Sequence, residues 1–278
     1  MPELPEVETV RKGLSRLVLN KVIESVDVFW PRIIEKPEVE EFKMLLVGQK
    51  IERVDRRGKF LIFKLTNFDL ISHLRMEGKY EFTPTQKEES PSKHVHVIFH
   101  FSDQSQLAYN DVRKFGRMAL VPKNQSHDYK GIRLLGVEPV APDFQVEAFY
   151  QQLTKSSMAI KPLLLGQKIV VGLGNIYVDE ALWQAKIHPE TRANSLTYEE
   201  AQHLHEAIIE VLAKAVEAGG TTIRSYVGAL GEAGTFQVAL NAYGQTNEPC
   251  PRCLTPIEKI KVAQRGTHFC PKCQIRKG

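Results

Sequence analysis

Cys250-Pro251-Arg252-Cys253 and Cys270-Pro271-Lys272-Cys273 form a C-x2-C-x16-C-x2-C pattern. Four thiolates at these spacings close a tetrahedron about one structural Zn2+ and leave it no open position for catalysis. Every cysteine of the chain falls in this stretch, which speaks against a disulfide scaffold. Between the knuckles, Ile260 to Val262 and Thr267 to Phe269 read as a hairpin with Ala263-Gln264-Arg265-Gly266 at its tip. Arg265 there is either a guanidinium fork held out to a phosphate or a solvated turn residue. From Cys250 to Gly278, seven cations face the single acid Glu258, a net +6 before any metal is counted. That local excess suits a polyanionic partner better than the whole-chain charge of +4 does.

Upstream of the knuckles, Gly219 to Gly234 holds Gly219, Gly220, Gly228, Gly231 and Gly234, too many for a regular element and suited to a flap. A helix is expected over Tyr198 to Ala218, with Ala201, Leu204, Ile208, Val211, Leu212 and Ala215 on one face. Further helices are expected over Phe149 to Ala159, Lys161 to Leu165 and Asn175 to Ala185. Gly172-Leu173-Gly174 relaxes the backbone ahead of the third, with Asn175 as its expected N-cap. That helix end would hold a phosphate or simply be capped. Gly136, Pro139 and Pro142 mark a change of character along the chain. The expected domains are 1–133, a linker at 134–144, a helical domain at 145–249 with its flap at about 219–244, and a zinc finger at 250–278.

The first half alternates like a β protein. Strand-like runs occur at Val26 to Trp30, Ile51 to Leu65, Leu70 to Leu74, Val95 to Phe101, Leu107 to Asn110 and Met118 to Val121, and Gln86 to Ser92 reads as a solvated loop. Short strands at this spacing predict a two-layer β-sandwich or a flattened barrel. Lys59, beside Arg56-Arg57-Gly58, is either an amine of depressed pKa or one of a basic row. His73 to Gly78 and Asp111 to Gly116 are strand-to-turn stretches. Met76 and Phe115 there are either core residues or, with Arg113, wedges of the kind that fill a gap in a base stack.

A helix precedes the strands, with Val7, Val10, Leu14, Leu17 and Val18 at helical spacing and Asn20 at its end. It is led by Met1-Pro2-Glu3-Leu4-Pro5-Glu6. Pro5 suits a first helical turn, and Glu6 and Glu8 suit its positive end. A second residue as small as proline favours removal of Met1, which would leave Pro2 a secondary amine able to attack a sugar aldehyde carbon and form an iminium ion. Length allows two domains with a real core. No signal-like or membrane-length apolar run is present, so a cytoplasmic, non-membrane protein is expected.

Together these residues resemble the formamidopyrimidine-DNA glycosylase family over essentially the full length. The resemblance is carried by Pro2 to Val10, Arg57-Gly58-Lys59, His73 to Gly78, Lys93-His94, Asp111 to Gly116, Gly136 to Pro139, Ile160-Lys161-Pro162, Val171 to Tyr177, Ile187-His188-Pro189 and the four cysteines. It implies an α+β protein of two domains: a β-sandwich with a flanking helix, then a helix-two-turn-helix domain with a four-cysteine zinc finger. It implies excision of oxidised purines from double-stranded DNA and cleavage of the abasic strand by a cytoplasmic, nucleoid-associated monomer. Pro2 would be the nucleophile, Glu3 the proton donor and Glu6 its support. Lys59 would assist β-elimination and Arg265 δ-elimination. His73, His94, Arg113, Lys161 and Asn175 would contact DNA, and Met76, Arg113 and Phe115 would fill the space of the extruded nucleotide.

Val95, Ser157, Gly166, Gln245 and Asn247 depart from the family pattern, which puts DNA contacts near residues 157 and 245 in doubt, and the flap with Gly228 and Leu230 is the least transferable part. Two rival readings are an endonuclease VIII-like glycosylase for oxidised pyrimidines and a zinc-finger DNA-binding protein without catalysis.

Overall fold

The computed structural model describes residues 2–85, 91–140, 142–221 and 240–277. The chain divides into two compact units: Met1–Arg133 with Gly219–Thr235, and Leu134–Ala218 with Phe236–Gly278. Residues 134–144 are not a free linker, however. Gly136 donates its N–H to the Gln167 carbonyl at 2.8 Å, and Val137 to that of Ile169 at 3.2 Å, so this stretch is bonded into the second unit. Of the expected flap, residues 222–239, including Gly228 and Leu230, lie outside the described residues, as do 86–90 of the expected loop.

The first unit begins with α1 (Leu4–Leu17), β1 (Ile23–Val28), β2 (Ile34–Lys36) and α2 (Val39–Leu46), followed by β3 (Ile51–Arg57), β4 (Phe60–Leu65), β5 (Phe68–His73) and β6 (Lys79–Thr83). β7 (Val95–Phe101), β8 (Gln106–Asn110), β9 (Arg117–Pro122) and α3 (Lys130–Arg133) complete it. The strands form two sheets, ordered β1-β7-β8-β6 and β2-β9-β5-β4-β3, antiparallel except at β2–β9. Leu61, Phe63 and Leu65 of β4 and Val97, Phe99 and Phe101 of β7 all face one shared core. Side chains alternate across a strand, so each sheet contributes one apolar face and the expected sandwich results. Val7, Val10 and Leu14 of α1 join that core.

Four elements escaped the periodicity, among them α3, which is a single turn of four residues. α2 is anchored only by Phe42 and Leu46, one helical turn apart, and β2 and β6 are short with mostly exposed or half-buried residues. The expected Val26–Trp30 strand instead ends at Val28, because Trp30 precedes a 3-10 turn at Pro31–Ile33.

The second unit contains α4 (Val146–Thr154), α5 (Ile160–Leu165), α6 (Asn175–Gln184), α7 (Tyr198–Glu217), β10 (Glu258–Val262) and β11 (Arg265–Phe269). α7 starts at a reciprocal capping box. Thr197 Oγ1 accepts the Glu200 N–H at 3.2 Å, and Glu200 returns a carboxylate to the Thr197 N–H at 3.0 Å. α4 stops short of the expected Ala159. Ser156 Oγ accepts the Met158 N–H, and Ala159 caps α5 instead. Among the described residues no helix is long and apolar enough to cross a membrane.

Glu180 of α6 is the main polar tie in this core. Its buried carboxylate accepts the backbone N–H groups of Asn241, Ala242 and Tyr243 at 2.8–2.9 Å. Glu180→Ala strands one buried and two part-buried donors at once and should cost about 2–3 kcal/mol. Urea unfolding checks this, and a loss below ~1 kcal/mol would show that the carboxylate is not the tie.

Candidate active site and zinc centre

Pro2, Glu3 and Glu6 are all buried. Glu3 is the N-cap of α1, and it forms a reciprocal capping box with Glu6, whose Oε2 accepts the Glu3 N–H at 2.9 Å. Glu6 Oε1 accepts the Thr221 N–H at 2.8 Å. A Cβ on Gly220, whose φ is +85°, would stand 2.7 Å from that same oxygen, so only glycine lets the chain pass. One carboxylate thus joins the residue after Pro2 to Thr221. The helix start was legible from Pro5 and Glu6, but the Thr221 contact, 215 residues away, carried no local signal.

Lys59 sits in the two-residue turn between β3 and β4, where Gly58 takes φ +56°. It is buried rather than part of a wet row. Arg56 ties this turn to α1, donating to the Gly58 carbonyl at 2.9 Å and to Glu8 at 3.1 Å. Burial alone would raise the pKa of Glu8, but hydrogen bonds and charge from Arg11 and Arg56 outweigh it and hold the carboxyl below its usual range. His73 ends β5 opposite Phe60, whose ring meets it edge-on at 4.5 Å. Burial first, then the charges of Arg75 and Lys59, push the His73 pKa down to about 3. The Arg75 N–H donates to Nδ1 at 2.9 Å, so the neutral ring carries its proton on Nε2.

The two turn stretches are exposed at their tips. Phe115 is 45% exposed, so it is not a core residue, and the Arg113 guanidinium lies 4.9 Å from its ring centre. Met76 is half-buried, following Arg75 at φ +55°. The second turn is built on Asp111, whose carboxylate accepts the N–H of Arg113 at 3.0 Å and of Gly116 at 2.7 Å. His96 donates to the Asp111 carbonyl, and the Asp111 N–H reaches the His94 carbonyl, so His94 is strung alongside this turn. Lys114, at φ +59°, places its ammonium 4.1 Å from the Trp30 ring centre.

In the second unit the β10–β11 hairpin turns on Ala263-Gln264, at φ +45° and +65°, so Arg265 opens β11 instead of sitting within the tip. Non-glycine residues in this region are sparsely populated and often mark functional sites. Arg265 is exposed. Asn175 donates to the Gly266 carbonyl at 2.9 Å, while its buried Oδ1 lacks a partner among the described residues. It is the first residue of α6, with Gly174 as the N-cap, one position from expectation.

Lys161 departs further from its expected place on DNA. It is fully buried, and its Nζ donates to Asp179 at 2.6 Å, Thr267 Oγ1 at 2.8 Å and the Gly266 carbonyl at 3.3 Å. An ammonium has three protons and all are used inside the chain, so Lys161 braces the hairpin and does not contact a phosphate directly. Asp179, which composition did not single out, also accepts the His268 N–H at 2.9 Å.

The Sγ atoms of Cys250, Cys253, Cys270 and Cys273 all lie within 4.8 Å of one another. Zinc–sulfur bonds of ~2.3 Å put tetrahedral sulfurs ~3.8 Å apart, so the set fits Zn2+. Left alone the thiols would not all ionise: a hydrogen bond from Thr255 holds Cys253 down to about 6, whereas burial and then the neighbouring sulfurs push Cys273 up to about 12. A divalent cation removes that conflict. The Trp183 indole N–H donates to Cys250 Sγ at 3.4 Å, and the Arg252 guanidinium stacks 3.9 Å from the Trp183 ring, so α6 supports the ligand set.

Known proteins share this arrangement. Residues 1–118 match the formamidopyrimidine-DNA glycosylase N-terminal domain, residues 135–227 its H2TH domain, and residues 247–275 the zinc finger found in FPG and IleRS. Formamidopyrimidine-DNA glycosylase of Enterococcus faecalis is 68% identical over 100% of this chain and 99% of its own, and that of Latilactobacillus sakei is 54% identical over the same shares. Lactococcus lactis Fpg (MutM), solved with DNA containing N7-benzyl-Fapy-dG, superposes with a TM-score of 0.92 at 47% identity, covering 99% of this chain and 100% of that one. The same protein with abasic-site DNA gives 0.91 at 46%, with the same coverage.

The site's electrostatics can be tested at two points. His73 binds its proton less tightly when folded than the ~6.5 of a free histidine, so the unfolded chain takes up a proton first as pH falls. Its contribution is level above pH ~6.5 and turns increasingly unfavourable towards pH ~3. His73→Gln should therefore flatten the fall in melting temperature between pH ~6.5 and ~4; an unchanged slope would contradict a buried neutral ring. Mercurial titration should release one zinc per chain and lose the hydrogen-exchange protection of β10 and β11, because such fingers fold with their metal. Retained protection after verified release would contradict a structural role.

Proposed function

The chain belongs to the formamidopyrimidine-DNA glycosylase family, and we propose that it excises oxidised purines, 8-oxoguanine and formamidopyrimidines, from duplex DNA and then cuts the abasic strand. The observation that supports this most is the Glu3–Glu6 capping box at the start of α1, in which the Glu6 carboxylate holds the N–H of Glu3, the residue next to Pro2. Once Met1 is removed, the ring nitrogen of Pro2 changes from a tertiary amide to a secondary amine. It attacks C1′ of the extruded nucleotide, and the glycosidic bond breaks as the new C–N bond forms, with Glu3 as proton donor. The base leaves with the bonding pair and a proton; the sugar ring then opens as the C1′–O4′ bond breaks and O4′ takes a proton, leaving C1′ as an iminium on Pro2. That iminium acidifies the C2′ hydrogens. Loss of one expels the 3′ phosphate in β-elimination, a second elimination expels the 5′ phosphate, and hydrolysis returns Pro2.

Lys59, buried in the anchored turn, assists the first elimination, and exposed Arg265 binds phosphate for the second. Neutral His73 offers its Nε2 proton to a backbone oxygen, and His94 and the remaining amide proton of Asn175 offer others. Such contacts position the duplex without reading its sequence, as suits an enzyme that must search all DNA. Chemistry at C1′ requires the nucleotide to leave the stack, at a cost of a few kcal/mol. Exposed Phe115 and Arg113, with half-buried Met76, offset this by occupying the gap. We place the enzyme with chromosomal DNA in the cytoplasm, acting as a monomer with one structural zinc.

Excision of 8-oxoguanine opposite cytosine, compared with thymine glycol in the same duplex, checks the substrate class. Faster release of 8-oxoguanine is expected from the Met76, Arg113, Phe115 set; faster release of thymine glycol would overturn the purine assignment in favour of an endonuclease VIII-like activity.

A further inference from the structure

Tyr109 of β8 is completely buried, and its hydroxyl has no hydrogen-bond partner among the described residues. A Cβ built on Gly78 would stand 2.1 Å from that oxygen, and one built on Gly116 would stand 1.9 Å from it. With a carbon–carbon bond of ~1.5 Å, each glycine α-carbon lies no farther than ~3.6 Å from the hydroxyl. Gly78 closes the turn that carries Met76, and Gly116 closes the turn that carries Arg113 and Phe115. One phenolic oxygen therefore separates the ends of both turns.

The ring cannot yield. Tyr80 meets it edge-on at 5.1 Å, and the Tyr80 hydroxyl donates to Ser72 Oγ at 2.7 Å on β5, in the opposite sheet of the sandwich. On its far side the Gly116 N–H is held by Asp111, and the Gly78 N–H by the Leu74 carbonyl at 3.0 Å. A buried hydroxyl without a partner is unfavourable for folding, whereas phenylalanine would satisfy the same pocket without that penalty. Stability therefore gives no reason for the oxygen to be there.

We propose that Tyr109 is a positioning residue for void filling: its hydroxyl is the spacer that sets the separation of the Met76 turn from the Arg113–Phe115 turn. This rests on the glycosylase reading above and adds a residue that touches neither DNA nor the reacting atoms. Shortening the spacer leaves each turn intact and alters only how the two side-chain groups match a gap in the base stack.

The test is Tyr109→Phe, which keeps the ring and removes one atom. Three measurements separate the outcomes: melting temperature, fluorescence of 2-aminopurine placed opposite a tetrahydrofuran abasic analogue at saturating enzyme, and excision of 8-oxoguanine. The proposal expects an unchanged or higher melting temperature, a 2-aminopurine change reduced by about half, and duplex excision slowed by roughly five-fold. Borohydride trapping on an abasic site in single-stranded DNA, where no stack needs filling, should fall much less. An unaltered 2-aminopurine signal would overturn the spacer role. So would equal losses on duplex and single-stranded DNA accompanied by a lower melting temperature, which mark a merely structural residue. Wild-type protein that gives no trapped adduct would instead refute the glycosylase reading itself.

Discussion

The buried carboxylate of Glu6 is the constraint on which the rest of the first unit's chemistry depends. It accepts the N–H of Glu3 through one oxygen and that of Thr221 through the other. A flexible chain terminus is a poor place for a nucleophile, because every angle it explores dilutes the reactive one. The bond to Glu3 removes that freedom next to Pro2, and the bond to Thr221 holds the Glu6 carboxylate that makes it. The Arg56 bridge to Glu8 and Gly58 does the same for Lys59. The proposed catalytic groups, from a helix start and a β-turn, are thus held by carboxylates of the same helix.

In the second unit, charged residues serve construction more than contact. Lys161, Asp179, Thr267 and His268 form a network that fixes the hairpin carrying Arg265, and Glu180 gathers three backbone donors from the returning chain. Breaking one partner of such a buried pair leaves an uncompensated charge, so substitutions there should destabilise the fold. Arg265, by contrast, is exposed, as the proposed phosphate contact requires.

Much of this was readable from residue order alone. α7 is a periodic helix with a Thr197–Glu200 box, Val97, Phe99 and Phe101 of β7 recur at every second position, and four cysteines at knuckle spacing admit one sensible use. The candidate site was legible for a different reason: chemically specific residues cluster in short runs, as at Pro2-Glu3 and Arg57-Gly58-Lys59. What escaped were relations across long separations. Lys161 reads as an exposed cation until Asp179 and Thr267 fold around it, and Tyr109 reads as one more β-strand aromatic until Gly78 and Gly116 close on its oxygen. α2 escaped because two anchoring residues are too few to show a period.

The mechanism stands or falls on which nitrogen carries the covalent intermediate. Borohydride reduction of the enzyme with abasic DNA, followed by proteolysis and peptide sequencing by mass spectrometry, identifies it directly. The mechanism predicts an adduct on the ring nitrogen of Pro2, in a peptide that begins at Pro2 because Met1 has been removed. An adduct on Lys59, or on Pro2-containing protein that still retains Met1, would contradict it.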